Sequence, residues 1–283
     1  MARKKPIINA GTIRRYLDYL TEQERAKSTL QKYGHDLAAL CAYLQGQTLT
    51  KAALIGWKQS LVEQYSPASV NAMLTVANGY LRYMGWPELC VRLLKVQRSL
   101  FLDENKELSR GEYARLVRAA QMQKNERLAL VLQTICATGI RVSELQYITA
   151  EAVQAGRAEI CNKGKRRLVF LPDKLRRLLK AYLRKQKKTA GAVFTTRTGK
   201  PLNRSNIWRE MKALCESAGV AAEKVFPHNL RHLFARVFYA LEKDLSRLAD
   251  ILGHSSVNTT RIYTAESGAV HARQMNRLGL IVT

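Results

Sequence analysis

Apolar residues recur at three- and four-residue steps through most of this chain, the spacing that lines one face of an α-helix. Leu30, Tyr33, Leu37, Leu40 and Leu44 form one such stripe behind Ser28-x-x-Gln31, which reads as a capping box. Ser66 before Pro67 sets a capping hydroxyl ahead of a proline at the first helical position. Val70, Met73, Ala77, Leu81 and Met84 carry that helix on until Gly85, Trp86 and Pro87 stop it. Shorter patterns over residues 13–20 and 54–61 complete a predicted bundle of four or five helices.

The helical period lapses over residues 97–108, where charges mix, and Ser109-x-x-Glu112 then opens a fresh capping box. The expected organisation is a helical domain over residues 1–98, a linker over 99–108 and a second domain over 109–283. In the second domain, helical patterns over 112–120 and 126–137 end at Gly139, a left-handed stop, and Arg141 opens the next short helix. Residues 157–161 and 166–171 predict two strands around the turn Asn162-Lys163-Gly164-Lys165, which puts lysines at a hairpin tip. A helix over 173–188 turns Leu175, Leu178, Leu179, Tyr182 and Leu183 inward and eight lysines or arginines outward. Further helices are expected over 203–217, 227–241, 246–252 and 258–264. The fold class is therefore mainly α, with a small antiparallel hairpin.

Charge narrows the partners. Lysine and arginine number 47 against 22 aspartates and glutamates, a net charge of +25 with a pI near 10.2. That surplus points to a polyanion, whether DNA, RNA or an acidic membrane surface. With 283 residues and 47% hydrophobic content, the chain can bury a core and is no disordered basic tail. Five scattered cysteines without a C-x-x-C pair fit a reducing compartment. The basic start has no apolar run behind it, so no signal peptide is read there. No apolar segment approaches the ~20 residues of a membrane span, and a soluble, intracellular protein is expected.

Candidate chemistry sits near the C-terminus. His228 and Arg231 fall three apart in H-N-L-R, His254 lies in L-G-H, and Tyr263 follows nine residues later. With Arg141 upstream they suggest a phosphate grip around a tyrosine nucleophile, because two guanidiniums can hold one phosphodiester by bidentate hydrogen bonds. Fixed cations at the non-bridging oxygens stabilise the charge gained in the transition state. A phenol ionises near pH 10 and needs a base, for which His228 is the candidate. His254 would donate to the phosphate, and a hairpin lysine would protonate the departing oxygen. His228 and His232, at i and i+4, resemble a zinc pair. Asn229 and Arg231 between them argue against it, and His232 reads as a supporting residue.

Three segments now bear comparison with a known family. A-T-G-I-R-V-S-E-L, H-N-L-R-H and L-G-H-S-S-V-N-T-T-R-I-Y-T resemble, in order and separation, the signature boxes of the tyrosine recombinase (phage integrase) family. The resemblance implies an N-terminal helical, SAM-like core-binding domain and a mainly helical catalytic domain with a small antiparallel sheet. It implies Arg141, Lys163, His228, Arg231, His254 and the nucleophile Tyr263 as catalytic positions, Glu144 as structural, and neither cofactor nor metal. The implied reaction is cleavage and rejoining of double-stranded DNA through a covalent 3′-phosphotyrosine. It runs at inverted-repeat sites, within a homotetramer assembled from monomers. It would serve element integration and excision or chromosome-dimer resolution, in the cytoplasm at the nucleoid.

Two departures stand out. The hairpin reads C-N-K-G-K-R-R, shorter than the usual Xer form, which leaves Lys165 as the alternative to Lys163. The chain also starts almost directly with the core-binding helices, as a simple Xer-like recombinase would. A type IB topoisomerase-like activity and a non-catalytic architectural DNA-binding role are the alternatives. The apolar residues after Tyr263 are expected to dock on a neighbouring protomer.

Overall fold

The computed structural model describes residues 6–96, 104–162, 165–196, 198–254, 256–263, 273 and 275–278. Lys163 and most of the tail after Tyr263, both singled out above, lie outside the described residues. The chain forms two units, Met1–Arg98 and Ser99–Thr283, each with its own core.

Among the described residues, the first unit holds four helices, α1 (Ala10–Glu22), α2 (Lys27–Leu44), α3 (Lys51–Gln64) and α4 (Pro67–Tyr83), and a 3₁₀ turn at Pro87–Leu89. Ser66 caps α4 with Pro67 at its first position, as its sequence predicts. The Ser28 capping box does not form. Helix α2 starts two residues earlier, at Lys27, with Ala26 as an N-cap that makes no side-chain bond. Burial of Leu37, Leu40 and Leu44 in the core holds the helix in place. Two asparagines seven residues apart on α4 pin the segment leaving this unit. Asn71 exchanges two hydrogen bonds with the Leu94 backbone (2.9 and 2.7 Å), and Asn78 does the same with Val91 (2.8 and 2.9 Å). Each side-chain amide thus acts as a ladder partner.

In the second unit, the Ser109–Glu112 capping box opens α5 (Arg110–Met122) as expected. Helix α6 (Glu126–Thr138) runs through the core, burying Leu128, Val131, Leu132 and Ile135. Burying each such side chain fully is worth about 1.5–3 kcal/mol, which anchors α6 in the core. Gly139 ends it with φ 65°, and a Cβ there would lie 2.4 Å from Phe234 Cδ1. Arg141 caps a 3₁₀ helix, Val142–Tyr147, rather than an α-helix. Next come α7 (Ala150–Ala155) and the hairpin strands β1 (Arg157–Asn162) and β2 (Lys165–Phe170), paired antiparallel with Ile160 opposite Arg167.

Helix α8 (Asp173–Lys185) buries Leu175, Leu179, Tyr182 and Leu183. Leu178 departs from expectation at 45% exposed, because it sits at the border of that seam. The helix expected over 203–217 is broken at Leu214 into α9 (Arg204–Ala213) and α10 (Cys215–Ala218). Helices α11 (Pro227–Glu242), α12 (Leu245–Leu252) and α13 (Val257–Thr260) follow, and Arg261–Tyr263 closes the described stretch as a 3₁₀ turn. Among the described residues no helix is long and apolar enough to cross a membrane.

Candidate active site

Arg231 is the centre of the site. It projects from α11 and is 1% exposed, an unusual place for a guanidinium. Its Nη1 donates to the Gly139 carbonyl (2.5 Å), and its Nη2 donates to the Leu252 carbonyl (2.7 Å) and to His254 Nε2 (2.9 Å). The two carbonyls are orphan acceptors at the C-terminal ends of α6 and α12, where a cation is also favoured by the helix dipole. Burial first, and the nearby Arg141 charge second, lower its pKa to about 10, while the adjacent Tyr263 hydroxyl opposes the fall. Arg231 therefore stays charged at neutral pH.

Arg141 is held by a buried carboxylate. Glu144, 1% exposed, accepts from the Arg141 backbone (2.8 Å) and Nη1 (3.0 Å). Its two oxygens also take a bidentate grip from Arg167 Nη1 (3.0 Å) and Nη2 (2.7 Å) on β2. Burial alone would raise the Glu144 pKa, but the hydrogen bonds and charges of Arg167 and Arg141 bring it down to about 2. One carboxylate between two arginines leaves the group net positive. Glu144 thus has the structural role expected of it.

His254 follows Gly253, whose φ of 66° ends α12 and whose Cα faces the Arg167 side chain. A Cβ there would stand 2.8 Å from Arg167 Cδ. Since Nε2 accepts from Arg231, the His254 proton sits on Nδ1 and is donated to Thr260 Oγ1 (2.8 Å). Burial, then the charges of Arg231, Arg141 and Arg167, push its pKa down to about 4. The ring stacks on Tyr263 with centroids 5.8 Å apart and planes at 24°. Tyr263 itself is 3% exposed, packed among Ala235, Leu248 and Leu252.

His228 opens α11 and is the outermost of the three histidines. Removal from bulk water, then the charges of His232, Arg231 and Arg141, lower its pKa to about 4. Its ring meets His232 edge-on at 4.6 Å, and His232 in turn meets Tyr263 edge-on at 4.8 Å. The imidazoles against the Tyr263 ring are thus those of His232 and His254. Beside His228 opens a cavity of about 440 Å³ whose lining includes Arg141, Arg204, Trp208, Lys212 and Arg231. Lys212 lies over the Trp208 ring at 5.5 Å. Cations on several walls and an aromatic face suit a phosphate with its attached nucleoside. Among the described residues no group of three or more His, Cys, Asp or Glu is placed to hold a metal.

The structure brings together Arg141, His228, Arg231, His254 and Tyr263. Arg167 belongs with them and was missed, although its phase on β2, matching buried Val169 opposite Ala158, was a readable signal. Comparison with known proteins gives the family. Residues 106–269 match the phage integrase family, and residues 13–86 match its N-terminal SAM-like domain.

The chain belongs to the phage integrase family. It is a tyrosine recombinase, an enzyme that transfers DNA strands in site-specific recombination. Tyrosine recombinase XerD of Xanthomonas campestris is 31% identical over 289 residues, covering 89% of this chain and 86% of the relative. XerD of Vibrio cholerae is 29% identical over 275 residues, covering 90% and 91%. The fold of this integrase-family chain matches that of a lambda integrase tetramer bound to a Holliday junction, with TM-score 0.75 and 17% identity over 92% of this chain and 78% of the other.

Proposed function

We propose that this recombinase cleaves duplex DNA by attack of the Tyr263 hydroxyl on a phosphodiester held by Arg141 and Arg231. The bond formed joins Tyr263 Oη to phosphorus, and the bond broken releases a 5′-hydroxyl. A neutral imidazole accepts the phenolic proton, and a lysine of the hairpin, Lys163 with Lys165 as the alternative, protonates the departing oxygen. The reverse attack by a 5′-hydroxyl from a partner strand completes exchange, and the phosphotyrosine keeps the bond energy that rejoining needs.

Arg141 and Arg231 supply fixed positive charge where the phosphoryl oxygens become more negative. His228 at the cavity wall and the pair of His254 with Arg231 position the phosphate. Residues 1–98 act as a core-binding domain and residues 109–283 as the catalytic domain, on DNA with inverted-repeat sites. The working assembly is a homotetramer formed on DNA in the cytoplasm, at the nucleoid. The lambda integrase tetramer on a Holliday junction, and the fold shared with it, support the tetrameric assembly.

One observation carries the proposal: Arg141, Arg231 and His228 line one cavity, while Tyr263 lies beside Arg231 and against His254. The test is trapping. Host genomic fragments that become covalently attached are sequenced to recover the site, and a nicked duplex carrying it is run with the protein on a denaturing gel. A parent adduct mapping to Tyr263, absent from Tyr263→Phe while DNA binding persists, is expected. An undiminished adduct from Tyr263→Phe would overturn the assignment.

A further inference from the structure

Three features of His232 are unaccounted for by a packing role. Its Nδ1 lies 3.2 Å from Glu107 Oε1, a residue 125 positions earlier in the chain. Its ring stands edge-on to Tyr263, centroids 4.8 Å apart at 70°. Its Nε2 is buried and has no hydrogen-bond partner. An unpartnered buried polar atom is costly and calls for an explanation in a folded protein.

Glu107 is held as a carboxylate. Burial would raise its pKa, but the hydrogen bond and charge of His232, with Arg236 beside them, keep it below the ordinary carboxylate value. Arg236 Nε approaches the other oxygen at 3.4 Å. The segment carrying Glu107 is fastened to α11 on both sides of it. Asn229 Nδ2 donates to the Lys106 carbonyl (2.9 Å), and Arg236 Nη2 donates to the Leu108 carbonyl (2.5 Å). A carboxylate accepting from Nδ1 fixes the tautomer, so that in the neutral form of the ring the lone pair lies on Nε2. His254 cannot serve in the same way, because its Nε2 lone pair is already taken by Arg231.

We propose that His232, oriented by Glu107, is the base that takes the phenolic proton of Tyr263 during cleavage and returns it during rejoining. This rests on Tyr263 being the nucleophile. In the forward step the Tyr263 oxygen forms its bond to phosphorus as its proton passes to His232 Nε2. The phosphorus bond to the 5′-oxygen breaks, and that oxygen takes a separate proton from the hairpin lysine. Glu107 stabilises the imidazolium without itself changing protonation. Among the described residues, the charged or titratable groups around His232 include Glu107 on the preceding segment, His228 and Arg236 on α11, and Tyr263.

The test uses the full chain, single-turnover cleavage of the nicked duplex, and fluorotyrosine incorporated at position 263, whose phenol ionises more readily. Peptide mapping of the parent adduct comes first. If the adduct is not on Tyr263, the nucleophile assignment fails, a result separate from the fate of His232. With the adduct on Tyr263, His232→Gln should slow cleavage by about 10²-fold, the lower range for a lost proton acceptor. Fluorotyrosine should restore much of that loss. A duplex whose departing oxygen is replaced by sulfur should restore none, because it relieves only the need for an acid. Glu107→Gln, which keeps the shape and removes the charge, should give a smaller loss with the same rescue, and it decides the matter if His232→Gln does not fold. Parent-like cleavage by the folded variants, or a loss that fluorotyrosine leaves untouched, would overturn the proposal.

Discussion

Arg231 Nη2 donates to His254 Nε2 across 2.9 Å, which binds the two residues into one unit and keeps His254 neutral. A cation that hydrogen-bonds the lone pair of an imidazole opposes its protonation twice, by occupying the lone pair and by like charge. Both consequences can be measured.

The folded pKa of His254 is about 4, and so is that of His228, against an ordinary 6.5. Both are bases with depressed folded values, so on acidification the unfolded chain takes up protons first. Their contribution to stability is present above about 6.5 and is lost as pH falls toward 4. Glu144, at about 2 folded against 4.5, adds a further loss below 4.5. Denaturant midpoints of the parent should therefore drop steadily across that window. His254→Gln should flatten the upper part of the slope, and an equal slope in parent and variant would contradict the assignment.

Glu144→Ala leaves Arg141 and Arg167 facing each other with nothing between them. Removing one partner of a buried ion pair typically costs 3–5 kcal/mol, and about 3 kcal/mol is expected here because Arg141 is partly exposed. Thermal or chemical unfolding checks this. Cleavage should fall as well, since Arg141 loses the carboxylate that aims it, whereas binding to duplex DNA should persist.

Gly139→Ala should destabilise by more than the ~1–2 kcal/mol that a left-handed backbone costs a residue with a Cβ. The added methyl would also meet the Phe234 ring, at 2.4 Å from Cδ1. The same shift would move the carbonyl that anchors Arg231. Unfolding midpoints and adduct yield should fall together, and a variant that melts like the parent would show that the α6 terminus can relax.

DNA affinity should weaken steeply with salt. Each phosphate contact contributes a slope of about −0.9 in log affinity against log salt on duplex DNA. Arg204→Ala and Lys212→Ala, which line the cavity, should each reduce the slope by about one contact in mobility-shift titrations. Unchanged slopes would place those residues away from the phosphate backbone.

Much of this site could be read before any coordinates, because its residues lie in short boxes with their own local punctuation. Gly139 before Arg141, and Gly253 before His254, mark helix ends, and the functional residue follows each end. Five of the six expected catalytic positions are described and lie in one unit; Lys163 is outside the described residues. Glu107 was not legible. It falls where the helical period lapses, and its meaning comes only from a partner 125 residues on. His232 was visible but read as support, since i and i+4 spacing on a helix says which face is shared and not which ring touches the tyrosine. The Ser28 box failed although its local pattern was correct: the helix begins at Lys27, which leaves Ser28 inside the first turn rather than at the cap.

Arg231 joins the carbonyl that ends α6 to the one that ends α12, so the residue proposed to grip the phosphate is also a rivet between two helices. Chemistry and architecture then share one guanidinium, and natural drift cannot remove the first while sparing the second. A lineage that retires this enzyme into a passive DNA-binding role would do so more readily through a residue that bridges no helix ends, such as Tyr263. A substitution at position 231 would be eliminated as an unstable protein before it could persist as an inactive one.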